Sequence, residues 1–129
     1  MNTFPKEERL HGRTTVAEVF AKGKRFQLDP YRIVWRTRAK DDLPSIRFGI
    51  SVSKKISKKA VERNRIKRCN REAFRAVKQS FIEELLAQNK QIDLFLVYAG
   101  SIETNTEVLK EKIILILNRL IATHGKPIS

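Results

Sequence analysis

Between Ser53 and Arg75 the chain reads SKKISKKAVERNRIKRCNREAFR. Residues 54–75 hold ten basic side chains and two acidic ones, a net +8 out of +13 for the whole chain. The chemistry open to such a segment is recognition of phosphate. A guanidinium presents a planar fork of donors that matches a phosphate, and a lysine presents a point charge. On a helix, spacings of three and four set Asn64, Lys67, Arg68, Arg71 and Arg75 along one stripe. Such a stripe can follow a phosphate backbone. Its like charges repel, so the free chain gives up stability to keep them together, which argues that the face is used. Asn64 stands between Arg63 and Arg65. Its amide can accept from ribose hydroxyls or donate to phosphates and base edges. Bond-breaking chemistry is poorly supplied. His11 and His124 lie near opposite ends, Asp41 and Asp42 sit in a turn-like KDDLP stretch, and no glycine-rich loop is present. Catalytic residues and a protein metal site are therefore not expected. The one cysteine, Cys69, falls at the edge of the apolar side of its helix and reads as a buried structural thiol.

The other residues must supply the scaffold that holds this segment. The 129 residues suit a single domain, 1–129, and 41% hydrophobic content is enough for a real core. With 27 Lys and Arg against 14 Asp and Glu, a compact fold repels itself and is expected to work against a polyanion. The longest apolar runs, Ile113–Leu117 and Leu94–Tyr98, are far short of the ~20 residues that span a membrane. The basic helix would also carry Asn70 in the middle of its apolar face, which argues against a membrane partner. The start MNTFPKEERL has no apolar secretion core, and one cysteine fits a reducing compartment, so a cytoplasmic location is expected.

Residues 1–12 read as an extended arm and 124–129 as a tail. Thr15 and Glu18 make a capping-box pattern for a short helix that Gly23 ends. Tyr31–Arg38 alternates, with Tyr31, Ile33, Trp35 and Thr37 on one face and Arg32, Val34, Arg36 and Arg38 on the other. The KDDLP turn could join this strand to Arg47–Ser53 as a hairpin, with Phe48, Ile50 and Val52 inward. From Lys58 to about Gln88 the period is helical, with Ser57 as a candidate N-cap. At about 100° per residue, Ile66, Asn70, Ala73, Phe74, Val77 and Phe81 share one side and the cations, Lys78 included, the other. Ile92–Tyr98 reads as a buried strand. Thr104 and Glu107 repeat the capping pattern before a helix over Val108–Ala122. Helices packed on a sheet are the expected class.

The basic segment resembles the protein subunit of bacterial ribonuclease P. That family carries Ser-x-Lys-Lys followed by Ala-Val-x-Arg-Asn-Arg-x-Lys-Arg-x-x-Arg-Glu. Here the pattern stands as Ser51 to Lys55 and then Ala60 to Glu72. Arg9-Leu10, Val19-Phe20 and Gly23 extend the likeness, which covers about residues 6–123. The resemblance implies an α/β (α+β) two-layer sandwich in the order αβββαβα, a four-stranded mixed sheet with three helices and a left-handed βαβ crossover. It implies an accessory subunit of an endoribonuclease whose catalyst is an RNA, removing the 5′ leader of precursor tRNA with Mg2+ held mainly by that RNA. Partners would be the catalytic RNA subunit and precursor tRNA, with no protein partner required. Arg63, Asn64, Arg65, Lys67, Arg68 and Arg71 inherit the contact with the RNA subunit. Phe20, Trp35, Lys54, Lys55, Arg71 and Arg75 inherit a cleft for the single-stranded leader, with Trp35 as a stacking surface. Val16 departs from the aromatic residue that many members have there.

Overall fold

The computed structural model describes residues 8–10, 12–39, 41 and 44–124. The elements are α1 (Arg13–Lys22), β1 (Lys24–Leu28), β2 (Tyr31–Arg38), β3 (Ile46–Val52), α2 (Ala60–Ala87), β4 (Gln91–Tyr98) and α3 (Thr106–His124). The sheet runs β1-β2-β4-β3. β3 and β4 are parallel, with α2 as the crossover between them, and the other two pairs are antiparallel.

Period-two alternation sorts the sheet into two faces. Tyr31, Ile33 and Trp35 join Phe48, Ile50, Leu94 and Leu96 in a core shared with α2 and α3. There the Phe48 ring stacks on Phe74 with centroids 4.1 Å apart. The intervening residues Val34 and Phe95 face the other way and pack under α1 with Leu10, Val16, Val19 and Phe20. Helices thus cover both faces, α1 over only part of its side. Gly23 closes α1 with its amide bonded to the Val19 carbonyl at 2.8 Å. A Cβ there would stand 2.5 Å from that same oxygen, so the tight exit into β1 requires glycine.

Several local expectations are corrected. The hairpin is β1–β2, not β2–β3: β4 inserts between β2 and β3, and KDDLP becomes a passage between strands that do not pair. β1 was not resolved by pattern, because only Phe26 and Leu28 mark its inner face and both are half-buried. α1 starts at Arg13 behind Gly12, without a side-chain cap, so Thr15 and Glu18 lie inside the helix. Glu18 pairs instead with Arg36 at 3.4 Å. The α2 N-cap is Lys59. Ser57 stands two residues earlier, accepting from the Lys59 amide at 3.1 Å and donating to Glu62 at 2.6 Å. Before α3, Asn105 rather than Thr104 does the capping, accepting from the Val108 amide at 3.1 Å. Of the expected arm, Glu8 to Leu10 and Gly12 are described. Arg9 bridges to Phe48 in parallel and the Leu10 amide bonds to the Phe48 carbonyl at 2.8 Å. The expected tail beyond His124, and His11 and Asp42, lie outside the described residues.

Two buried polar groups organise the interior. Asn70, fully buried in α2, accepts from the Tyr31 hydroxyl and donates to the Ile66 carbonyl at 2.9 Å. Burial, with Tyr98 adding to it, pushes the Tyr31 hydroxyl pKa far up. Asp93 is 0% exposed on β4. Arg36 Nε lies 3.0 Å from it, and Arg47 grips it with Nε and Nη2, each at 2.8 Å. Arg38 Nε approaches at 2.8 Å as an ion pair without the alignment of a hydrogen bond. The hydrogen bond to Asp93 is the main cause that raises the Arg47 pKa above its usual value. One carboxylate thus holds the lower ends of β2, β3 and β4 together.

Candidate nucleic-acid interface

α2 fixes the cationic face because Ile66, Asn70, Ala73, Phe74, Phe81 and Leu85 are all buried on its other side. Asn64, Arg68 and Arg75 are exposed, and Lys67 and Arg71 half-exposed. Lys78 departs from the expectation. It is buried and ion-paired with Glu8 from the N-terminal segment. A neighbouring carboxylate has taken it out of the cationic stripe.

A cleft of about 580 Å³ opens between the N-terminal segment, α1, the β3 edge and α2. Val16, Gly49 and Phe95 are among the residues of its apolar lining, and Arg9 and Arg71 supply charge. Gly49 keeps it open, since a Cβ there would stand 2.5 Å from the Phe95 ring and 2.8 Å from the Leu10 carbonyl. An adjoining hollow of about 340 Å³ is lined by Arg9, Arg68, Arg71, Glu72 and Arg75, four guanidiniums around one carboxylate. Burial, and then the charge of Arg9, lower the Arg71 pKa. Phe20 packs edge-on to Phe95 with centroids 5.2 Å apart. Arg25 bonds to the Phe20 carbonyl and sets its guanidinium 5.5 Å from the centre of the Phe20 ring. An apolar floor walled by arginines can hold bases and riboses while neutralising the phosphates between them.

Of the residues expected at the leader cleft, Phe20 packs beside it, Arg71 lines it and Arg75 lines the adjoining hollow. Lys55 lines a separate hollow near the top of the sheet, and Lys54 is exposed in the turn after β3. Trp35 is not brought there. It is 4% exposed and belongs to the core under α2 and α3, on the opposite face of the sheet from Phe20. Strand alternation forces this, because Val34 and not Trp35 shares the Phe20 side. Lys24 lies 5.5 Å over the Trp35 ring, closing it further.

Arg63 and Arg65 carry structural duties. Arg63 donates to the Ser57 carbonyl at 2.9 Å. Arg65 donates to the Ile102 and Thr104 carbonyls at 2.5 and 3.2 Å, pinning the β4–α3 loop to α2. Its Nη1 also lies 4.0 Å from Cys69 Sγ, and Cys69 is half-buried rather than buried. Arg9, Gly49 and Phe95 are lining residues that spacing alone missed, and Arg9 joins the site through its pairing beside β3. Among the described residues no three His, Cys, Asp or Glu side chains gather, and Glu72 stands amid arginines. No described helix is long and apolar enough to cross a membrane.

A basic α+β domain with an arginine-walled cleft beside its sheet is, in class, built to bind a nucleic acid. The family model described as Ribonuclease P matches residues 4–120. The Ribonuclease P protein component of Microcystis aeruginosa is 34% identical, over 95% of this chain and 98% of that protein. The RNase P protein from Thermotoga maritima superposes with a TM-score of 0.67 at 27% identity, covering 87% of this chain and 96% of that one. The Staphylococcus aureus RNase P protein has the same fold, with a TM-score of 0.67 at 23% identity over 88% and 94%. The chain belongs to the ribonuclease P protein family. Members are accessory protein subunits of an endoribonuclease, and their role is RNA binding in 5′ processing of tRNA.

Proposed function

We propose that this chain binds the catalytic RNA of ribonuclease P through the outward face of α2 and holds the 5′ leader of precursor tRNA in the cleft beneath α1. The observation that carries the reading is the continuity of the two surfaces. Arg68, Arg71 and Arg75 line a hollow that adjoins the apolar cleft, and Arg71 lines both. Asn64, Lys67 and Arg68 face the RNA subunit, while Phe20 and Arg71 face the leader, with Lys54, Lys55 and Arg75 contributing charge. The arginines lower the repulsion between two polyanions that must approach closely, and Mg2+ stays with the RNA. Arg63 and Arg65 act chiefly by shaping the start of α2, with their remaining donors free for RNA.

The test is salt. If about five cations contact phosphates, log K for the RNA subunit falls against log salt with a slope of roughly −3.5 to −4.5. Arg68→Ala should flatten it by about 0.7–0.9. Lys78→Ala should leave the slope unchanged, because its charge is already matched by Glu8. A flat salt dependence of the parent would contradict the reading.

A further inference from the structure

The α1 side of the sheet carries a row of cations from β2, and they do not share one fate. Arg36 and Arg38, with Arg47 of β3, are committed to Asp93. Arg32, on the same face four residues before Arg36, is exposed, and among the described residues nothing engages its side chain. It lines a hollow of about 510 Å³ with Ser53, Lys55, Val97 and Ile102, and no carboxylate is among the lining residues. The Lys55 ammonium is likewise unengaged among the described residues.

Strand register places this hollow next to the cleft. Arg32, Val97 and Ser51 are partners across the sheet, and the row two residues along is Val34, Phe95 and Gly49, which includes the cleft floor. The rows are about 7 Å apart. Charge on this face is therefore cancelled at the lower end and left open at the upper end, beside the floor on which bases would lie. Two like charges facing one hollow with an apolar wall are suited to a bridging anion.

We propose that Arg32 and Lys55 clamp one phosphodiester of the precursor-tRNA leader, making Arg32 a specificity-determining residue for substrates that carry a leader. The inference rests on the leader-cleft reading above.

The experiment uses the chain assembled with a bacterial ribonuclease P RNA. Arg32→Gln should weaken binding of precursor tRNA by about 3- to 10-fold and flatten its salt slope by about 0.7. Binding of mature tRNA and of the RNA subunit should not change, and Arg32→Lys should restore most of the loss. A neutral methylphosphonate placed at successive leader positions should erase the Arg32→Gln penalty at one position. Lys90→Gln, which removes an exposed charge beyond the end of α2, should have no leader-dependent effect. The clamp is overturned by an unchanged precursor affinity, by equal losses for precursor and mature tRNA, by an equal loss in Lys90→Gln, or by a penalty that no neutral linkage removes. If Phe20→Ala and Arg71→Ala retain leader-dependent losses, the clamp alone has failed. If they also show none, the cleft reading falls with it.

Discussion

Asp93→Ala is expected to lower the free energy of unfolding by about 3–5 kcal/mol, the usual cost of leaving a buried charge without its partner. Asp93 has no exposure, and the side chains of Arg36, Arg38 and Arg47 are 18%, 7% and 15% exposed. Removing the carboxylate leaves these guanidiniums repelling one another, with Glu18 on Arg36 and Asp41 on Arg38 as their other acidic partners among the described residues. A domain of this kind has roughly 5–15 kcal/mol in all, so the loss takes between about a fifth and the whole of its stability. Asp93→Asn keeps an acceptor but not the charge and should fall between. Urea unfolding followed by circular dichroism gives the number. A loss below about 1 kcal/mol for Asp93→Ala would show that the arginines find other partners.

Arg71→Ala is expected to move stability and binding in opposite directions. Arg71 is partly buried, and both desolvation and Arg9 disfavour its charge. Its removal should leave the free protein as stable as before or slightly more so, the pattern expected when a charge is kept for function. Bound RNA would supply the missing counter-charge. Loss of a partly buried charged contact costs about 2–3 kcal/mol, so affinity of the assembled complex for precursor tRNA should fall by roughly 30- to 150-fold. Affinity for mature tRNA should change much less. A destabilised Arg71→Ala variant, or one that binds precursor tRNA normally, would assign Arg71 to the fold and not to the leader.

The cationic helix was legible because its apolar positions repeat at helical spacing over many turns, and the buried set Ile66, Asn70, Ala73, Phe74 and Phe81 follows from that repeat. The two faces of β2 were legible for the same reason, but which face meets which helix was not. Alternation is symmetric and does not say which face meets a cleft; the resemblance put Trp35 in the leader cleft, and the packing of α2 on its side puts it in the core instead. Strand pairing was hidden because β4, which separates β2 from β3, comes after α2 in the chain. The roles of individual cations were hidden because charge matching is tertiary. Lys78 meets Glu8 from 70 residues away, and Arg36 meets Asp93 from 57. Asp93 itself was the clue available, since an acid inside the apolar run Ile92–Tyr98 must find a partner when buried. Arg63 and Arg65 stand in the most recognisable part of the motif and yet hold backbone carbonyls, so motif membership did not separate binding from folding.

On the proposed function, this chain assists cleavage by holding RNA and does not itself break the bond. The direct measurement is cleavage of precursor tRNA at physiological salt and low magnesium by the purified chain alone, by a bacterial ribonuclease P RNA alone, and by the two together. The expected result is no cleavage by the chain alone and faster leader removal by the pair than by the RNA alone. Robust cleavage by chain that is free of RNA, or no gain on adding the chain to the RNA, would contradict it.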